Sequence, residues 1–106
     1  MLDIRYSSQF KKDIRRLKRQ GKDLEKLREA ILLLAKGEAL LAHYLDHSLR
    51  GQWNKYREIH IENDRILIYR KTEKELLLVS TGSNSELFDR GIRSFILIQA
   101  YRNKQN

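Results

Sequence analysis

Three histidines, His43, His47 and His60, stand among carboxylates and arginines in the middle of the chain. Histidine changes charge near neutral pH, so two of them beside a carboxylate can accept and return protons under physiological conditions. His60 and Asp64 are four residues apart within "REIHIENDRILIY", residues 57–69, which reads as two strands around a tight turn. His47 precedes it, and Arg50, Arg57 and Arg65 flank the two histidines. Cleavage of an RNA phosphodiester without a metal needs such a set. A base takes the 2′-hydroxyl proton, an acid protonates the leaving 5′-oxygen, and cations hold the charge that builds on phosphorus. Plainer roles compete: Asp is a common turn former, and an exposed strand histidine needs no function. The same residues could instead bind a metal, with His43 and His47 at i, i+4 and Asp46 and His60 completing the ligands. No cysteine supports that reading, and nothing places 43–47 on a regular helix.

The elements that must position these residues follow from hydrophobic periodicity. "LDIRY" alternates Leu2, Ile4 and Tyr6 with Asp3 and Arg5, the period of a half-buried strand. Ser7 or Ser8 can cap a helix whose apolar stripe is Phe10, Ile14 and Leu17, stopped at Gly21. Asp23 can cap a second helix that buries Leu24, Leu27, Ile31 and Leu34 and ends at Gly37. The short link between them predicts an antiparallel helical hairpin. Residues 38–52 show no sustained period and read as an irregular connection with room for one helical turn. Strands are expected over 55–61, 65–71 and 75–80, with "TEKE" as the second turn. The order β-α-α-β-β-β is an α+β fold, a helical hairpin packed on a mainly antiparallel curved sheet.

The hairpin also predicts which side chains share a face. With Asn63 and Asp64 central to the turn, Ile61 would face Ile66, His60 would face Leu67, and Ile59 would face Ile68. Ile59, Ile61, Ile66 and Ile68 then form one aliphatic core face, leaving Glu58, His60, Leu67 and Tyr69 on the opposite, more open one.

Length and composition limit the classes of function. A chain of 106 residues is one domain's worth. Without cysteine there is no disulfide framework and no thiolate metal site, which fits a reducing cytoplasm. No apolar run approaches the roughly 20 residues of a membrane span, and the N-terminus has no signal-peptide core. With 22 Lys+Arg against 14 Asp+Glu, the formal charge is +8, which suits a polyanion or an acidic protein as partner. The basic helix "KKDIRRLKR" can be an RNA-backbone patch or a solvated helix face. Trp53, Tyr56 and Tyr69 could stack on bases, although Trp53, at the start of the sheet, can equally pack in the core.

The run "YLDHSLRGQWNKYREIHIENDRILIY", followed by "TGSNSELF", resembles the YafQ-type toxins of the RelE/ParE superfamily. That family carries Tyr-x-Asp-His-x-Leu-x-Gly, then a Tyr-Arg-[Asp/Glu]-x-His strand and a turn ending in Asp. An Ile/Leu-rich strand closing on Tyr and a final Thr-Gly-[Ser/Thr]-His-x-x-Leu-Phe follow. The resemblance covers residues 1–88 as one toxin domain with the RelE/ParE-like (microbial RNase-like) fold; 89–106 would be a C-terminal extension packing on it or extending it. It implies a ribosome-dependent mRNA endoribonuclease, the toxin of a type II toxin–antitoxin pair, cytoplasmic and needing no cofactor. Its implied partners are a DinJ-like ribbon-helix-helix antitoxin with an acidic flexible segment, and mRNA in the 30S A site. By position, the family's catalytic residues fall on His47, His60 and Asp64, and its C-terminal aromatic on Phe88. Arg50, Trp53, Arg57 and Arg65 are the further substrate-binding candidates.

Two positions depart from the pattern. The histidine of the last motif is Asn84, which can donate a hydrogen bond but has no proton that titrates near neutrality. The arginine usual before Thr-Gly is Ser80, so a phosphate-binding cation is absent there. Loss of a general acid commonly costs about 10²–10⁴ in rate. The resemblance therefore also allows an attenuated enzyme, or a non-enzymatic homologue that binds antitoxin or RNA or acts as a ParE-like inhibitor. The apolar run Phe95–Ile98 should not be left in water, and an extra strand or core packing would shelter it.

Overall fold

The computed structural model describes residues 1–49, 54–62 and 64–89. Arg50, Trp53 and the extension beyond Asp89 lie outside the described residues.

The chain opens with strand β1 (Asp3–Tyr6), and helices α1 (Ser8–Arg19) and α2 (Glu25–Ala35) follow. Ser7 starts α1: its Oγ accepts from Phe10 N at 2.9 Å and donates to Val79 O at 2.6 Å, tying the helix entry to the sheet. Gly21 leaves α1 at φ +71°, and Lys22 N returns to Leu17 O at 3.0 Å. The N-cap of α2 is Leu24, not the expected Asp23, and makes no side-chain cap; Asp23, one residue earlier, accepts from Glu25 N through Oδ1 at 3.0 Å. One 3₁₀ turn, Ala42–Tyr44, interrupts the long connection.

Strands β2 (His47–Ser48), β3 (Tyr56–Glu62), β4 (Arg65–Lys71) and β5 (Glu75–Ser83) complete a five-stranded sheet. Its order is β1-β5-β4-β3-β2, with β1 parallel to β5 and the other pairings antiparallel. Helix α3 (Asn84–Asp89) follows β5. The α+β class and order of elements are as expected; β2, α3 and the continuation of β5 to Ser83 are additions. Among the described residues no helix is long and apolar enough to cross a membrane.

The hairpin register is a correction. Glu62 pairs with Arg65, but His60 pairs with Ile66, Ile59 with Leu67 and Glu58 with Ile68. A bulge between His60 and Glu62 takes up Ile61, so every later pair shifts by one and β4 reverses its faces. Leu67 and Tyr69, rather than Ile66 and Ile68, join Ile59 and Ile61 against Phe10, Leu27 and Leu34 of the helices. Ile66 and Ile68 form a second cluster with Tyr56, Val79 and Leu87, so part of the face expected to be open is apolar and covered by α3. His60 nevertheless keeps to Glu58's side of β3, two residues along.

Candidate active site

Strand β2 is two residues long, yet it fixes the centre of the site. His47 pairs with Glu58 and Ser48 with Arg57 at the sheet edge. Leu45, at φ 50°, makes the left-handed turn that brings the chain into that pairing. Asp46 then anchors the segment from the helix side. Its Oδ1 accepts from Arg57 Nε at 3.0 Å and from the Tyr69 hydroxyl at 2.9 Å. Burial, reinforced by Asp46, raises the pKa of the Tyr69 hydroxyl well above its usual range, and the Asp46 hydrogen bond raises that of Arg57. Adjacent strand residues point to opposite faces, so fixing Asp46 inward presents His47 outward.

Outward, His47 meets a carboxylate. Its Nε2 is 3.0 Å from Oε2 of Glu58, a residue only 5% exposed. On the other side of the ring, Nδ1 is 2.7 Å from Leu45 O. A carbonyl can only accept, so Nδ1 carries hydrogen, and the remaining nitrogen faces an acceptor as well. The His60 ring centroid lies 6.1 Å from that of His47, and one ligand atom from each of His47, Glu58 and His60 falls within 4.8 Å of the others. His60 also lines an open groove of about 850 Å³ with His43, Tyr44, Leu45 and Leu32.

A two-histidine, one-carboxylate set is the donor chemistry of zinc and of other borderline metals. The trio therefore fits a cation by donor type, but not through the ligands expected from sequence. Asp46 is committed to Arg57 and Tyr69, and the His43 ring packs on Tyr44 with centroids 4.4 Å apart. Glu58 takes their place. Its signal in the sequence was the i, i+2 spacing to His60 on one strand face.

The remaining candidates lie apart from this trio. Asp64 is exposed, and its Oδ1 and carbonyl oxygen both accept from Asn84 N, at 3.2 and 2.9 Å. It thus joins the β3–β4 turn to the start of α3, and Asn84 itself is exposed there. Arg65 donates to Asp23 O at 2.6 Å and lies 3.4 Å from Glu62, bracing the hairpin tip against the helix link. Phe88 is in α3. Tyr56 and Tyr69 are 6% and 1% exposed, so neither offers a face for stacking on bases, contrary to expectation; Arg70 covers the Tyr56 ring at 5.7 Å.

Ser80 faces inward. It donates to Oδ2 of the fully buried Asp13 at 2.5 Å, and Thr81 N donates to the same oxygen at 3.1 Å. Arg16 sits beside them, 2.8 Å from Asp13 Oδ1, donating to Thr81 O at 3.2 Å and ion-paired with Glu86 at 2.9 Å. This polar knot couples α1, β5 and α3.

Comparison with known proteins places the chain among bacterial toxins. The family model described as bacterial toxin of type II toxin-antitoxin system, YafQ, matches residues 2–89. The mRNA interferase toxin YafQ of Escherichia coli is 42% identical over 87 residues, covering 81% of this chain and 95% of that protein. The E. coli DinJ–YafQ toxin–antitoxin complex contains a chain of TM-score 0.77 and 42% identity, covering 82% of this chain and 97% of that one. A metal-bound toxin from Helicobacter pylori has TM-score 0.76 and 40% identity, covering 83% and 100% respectively.

Proposed function

The chain belongs to the YafQ family of bacterial type II toxin–antitoxin toxins, and from that premise we propose how it acts as an mRNA endoribonuclease. The His47–Glu58–His60 arrangement carries the reading. His60 removes the proton of a 2′-hydroxyl, the 2′-oxygen attacks phosphorus, and the P–O5′ bond breaks as His47 protonates the leaving oxygen. Glu58 faces His47 Nε2 at 3.0 Å and would stabilise positive charge on the ring, so His47 takes the part of the acid where position 84 is asparagine. Arg57, paired with Ser48 of β2 and 39% exposed at its side chain, offers contact with the phosphate. Asp64 and Asn84 form the far wall and position substrate rather than transfer protons. The substrate is mRNA in the ribosomal A site, the setting is the cytoplasm, and a DinJ-like antitoxin silences the toxin.

A cation at the same trio is the second reading, favoured by the donor set and by the metal-bound Helicobacter relative. There His47, Glu58 and His60 would hold the ion, which would stabilise charge on the phosphate.

The experiment uses purified, antitoxin-free protein with programmed ribosomes, with and without a chelator. Wild type should cut mRNA and His60→Ala should not. Cleavage that appears only in Asn84→His would show an inactivated nuclease, and silence in both would overturn the enzymatic reading. Cleavage abolished by chelation and restored by zinc would select the cation.

A further inference from the structure

Three exposed leucines share one groove. Leu32, Leu41 and Leu45 are 36%, 66% and 60% exposed, and all three line the open groove of about 850 Å³ that His60 also lines. Helix α2 has no use for the first of them. Its buried stripe runs through Leu27, Ala30 and Leu34, and at about 100° per residue Leu32 lies roughly 170° round from the centre of that stripe. Leu45 reaches the groove from left-handed backbone at φ 50°, a conformation that leucine rarely adopts. Leu33 and Ile61 join the lining, so the wall is mainly aliphatic, while the rim sets Lys26 and Lys36 against Glu29 and Glu62. Single exposed leucines need no explanation, but a contiguous apolar groove with a polar rim marks a docking site.

A groove whose rim carries no net charge attracts neither a phosphate backbone nor an acidic peptide; it suits an apolar segment. The chain supplies such a segment itself. Residues 90–106 follow α3 and lie beyond the family model, which ends at residue 89. They hold the unbroken apolar run Phe95–Ile98, which in water is a liability. Around the run stand Arg90, Arg93, Arg102 and Lys104 with no acid, so the segment brings cations to Glu29 and Glu62 at the rim.

We propose that the Phe95–Ile98 run of the C-terminal extension seats in the Leu32–Leu41–Leu45 groove and covers His60. Reach supports it. His60 pairs with Ile66 and Ile66 with Gly82, so the three form one row about 10 Å long across the sheet. Helix α3 starts two residues beyond Gly82, and its Leu87 clusters with Ile66 on His60's side of the sheet. The helix itself rises only about 8 Å. From Asp89 the chain to Phe95 spans up to about 20 Å, and to Ile98 up to about 30 Å. The run can therefore arrive at the groove without leaving that side of the sheet. A short tether also holds it at an effective concentration on the order of millimolar, far above what a second copy in solution would offer. Once seated, it closes His60 to substrate. The docking stands apart from the enzymatic reading, and only this consequence for cleavage rests on that reading.

The chain has no cysteine, so an introduced pair reports on itself alone. Full-length, antitoxin-free protein carrying Leu41→Cys with Leu97→Cys is oxidised at low concentration. The comparison is Lys74→Cys with Leu97→Cys, whose first site is exposed on the β4–β5 turn at the far end of the sheet. The first pair should close within one chain and the second should not. Equal closure of both would reduce the run to a free tether and overturn the inference, as would closure of neither. Closure between chains would give the groove to a second copy and overturn it too. Coverage of His60 is read separately, by diethyl pyrocarbonate modification and mass spectrometry. For a run seated about nine-tenths of the time, Phe95→Ser with Leu97→Ser should speed modification of His43 and His60 about tenfold relative to His47, which does not line the groove. Leu32→Ser with Leu41→Ser should do the same from the groove side, and circular dichroism checks that both variants fold. Unchanged rates in both would overturn the coverage, and protection that appears only on adding antitoxin would assign the groove to that partner instead. Neither readout uses cleavage, so a protein that seats its run but cuts no mRNA sinks the enzymatic reading alone.

Discussion

Alanine at Gly82 tests whether the Thr-Gly of the last motif answers to helix α1 rather than to substrate. Gly82 lies in β5 opposite Ile66 and needs no left-handed backbone, so Gly→Ala by itself should be neutral or stabilise by about 0.4–1 kcal/mol through the unfolded chain. A Cβ there would sit 2.8 Å from Arg16 Nη2. The flexible end of a surface arginine could swing away, but this one is 13% exposed, holds Asp13 at 2.8 Å and donates to Thr81 O at 3.2 Å. Its contact with Glu86 at 2.9 Å is an ion pair without hydrogen-bond alignment and restrains it less. Displacing the guanidinium gives up one or two charge-assisted hydrogen bonds at about 1.5–3 kcal/mol each, so the net destabilisation should be about 2–4 kcal/mol. For a domain of this size that lowers Tm by roughly 10–20 °C. Urea unfolding of Gly82→Ala, Arg16→Met and the double variant closes the cycle. Arg16→Met alone leaves Asp13 buried without its cation and should cost about 3–5 kcal/mol. In that background Gly82→Ala should cost less than about 1 kcal/mol. A single Gly82→Ala variant within about 0.5 kcal/mol of wild type would refute the reasoning, because Arg16 would then yield freely.

Other expectations follow from the anchor beneath His47. Because folding raises the Tyr69 hydroxyl's pKa above its ordinary value of 10.0, the stabilisation it contributes is complete below pH 10 and is lost as pH rises beyond it. Urea unfolding from pH 7 to 11 should show the advantage of wild type over Tyr69→Phe shrinking above pH 10. Near neutrality Tyr69→Phe should be less stable by about 1–2 kcal/mol, having lost a hydrogen bond to a carboxylate. Asp46→Ala should release both Arg57 and Tyr69 and free β2 from the sheet edge. Its cleavage rate on saturating programmed ribosomes should fall about tenfold or more, with the helix content of the protein unchanged.

Much of the fold was legible because it rests on local rules. Ser7, Gly21 and Gly37 mark helix ends through capping and left-handed backbone, which need only a few neighbours. The hairpin faces were not legible, because the pattern around Ile61 fits two registers and one bulged residue decides between them. Both registers place His60 on the same side of β3, so its position survived the error. Glu58 was visible as a neighbour of His60, but its closeness to His47 depends on a two-residue strand that no periodicity could reveal. Asp64 shows a contact that spacing could not, because its Oδ1 accepts from Asn84 N and joins the β3–β4 turn to the start of α3. Ser80 looked like a lost phosphate ligand, and burial against Asp13 gives it a structural role instead.

Glu58→Gln isolates the charge on which the acid depends. Glutamine keeps the length and shape of the side chain, and its oxygen can still accept from Nε2, so β2 stays paired with β3. What it removes is the negative charge 3.0 Å from the ring. The Leu45 carbonyl continues to accept from Nδ1, and Nε2 then faces a neutral amide in place of a carboxylate. A ring without that carboxylate loses the charge that would favour its acidic form for protonating a leaving 5′-oxygen. If His47 is the acid, the cleavage rate of Glu58→Gln should approach that of His47→Ala, within the roughly 10²–10⁴-fold range of general-acid loss. Adding Glu58→Gln to His47→Ala should then cost little more, since both remove the same proton. A Glu58→Gln variant that cuts at the wild-type rate would place the acid elsewhere. Full cleavage by His47→Ala would do the same.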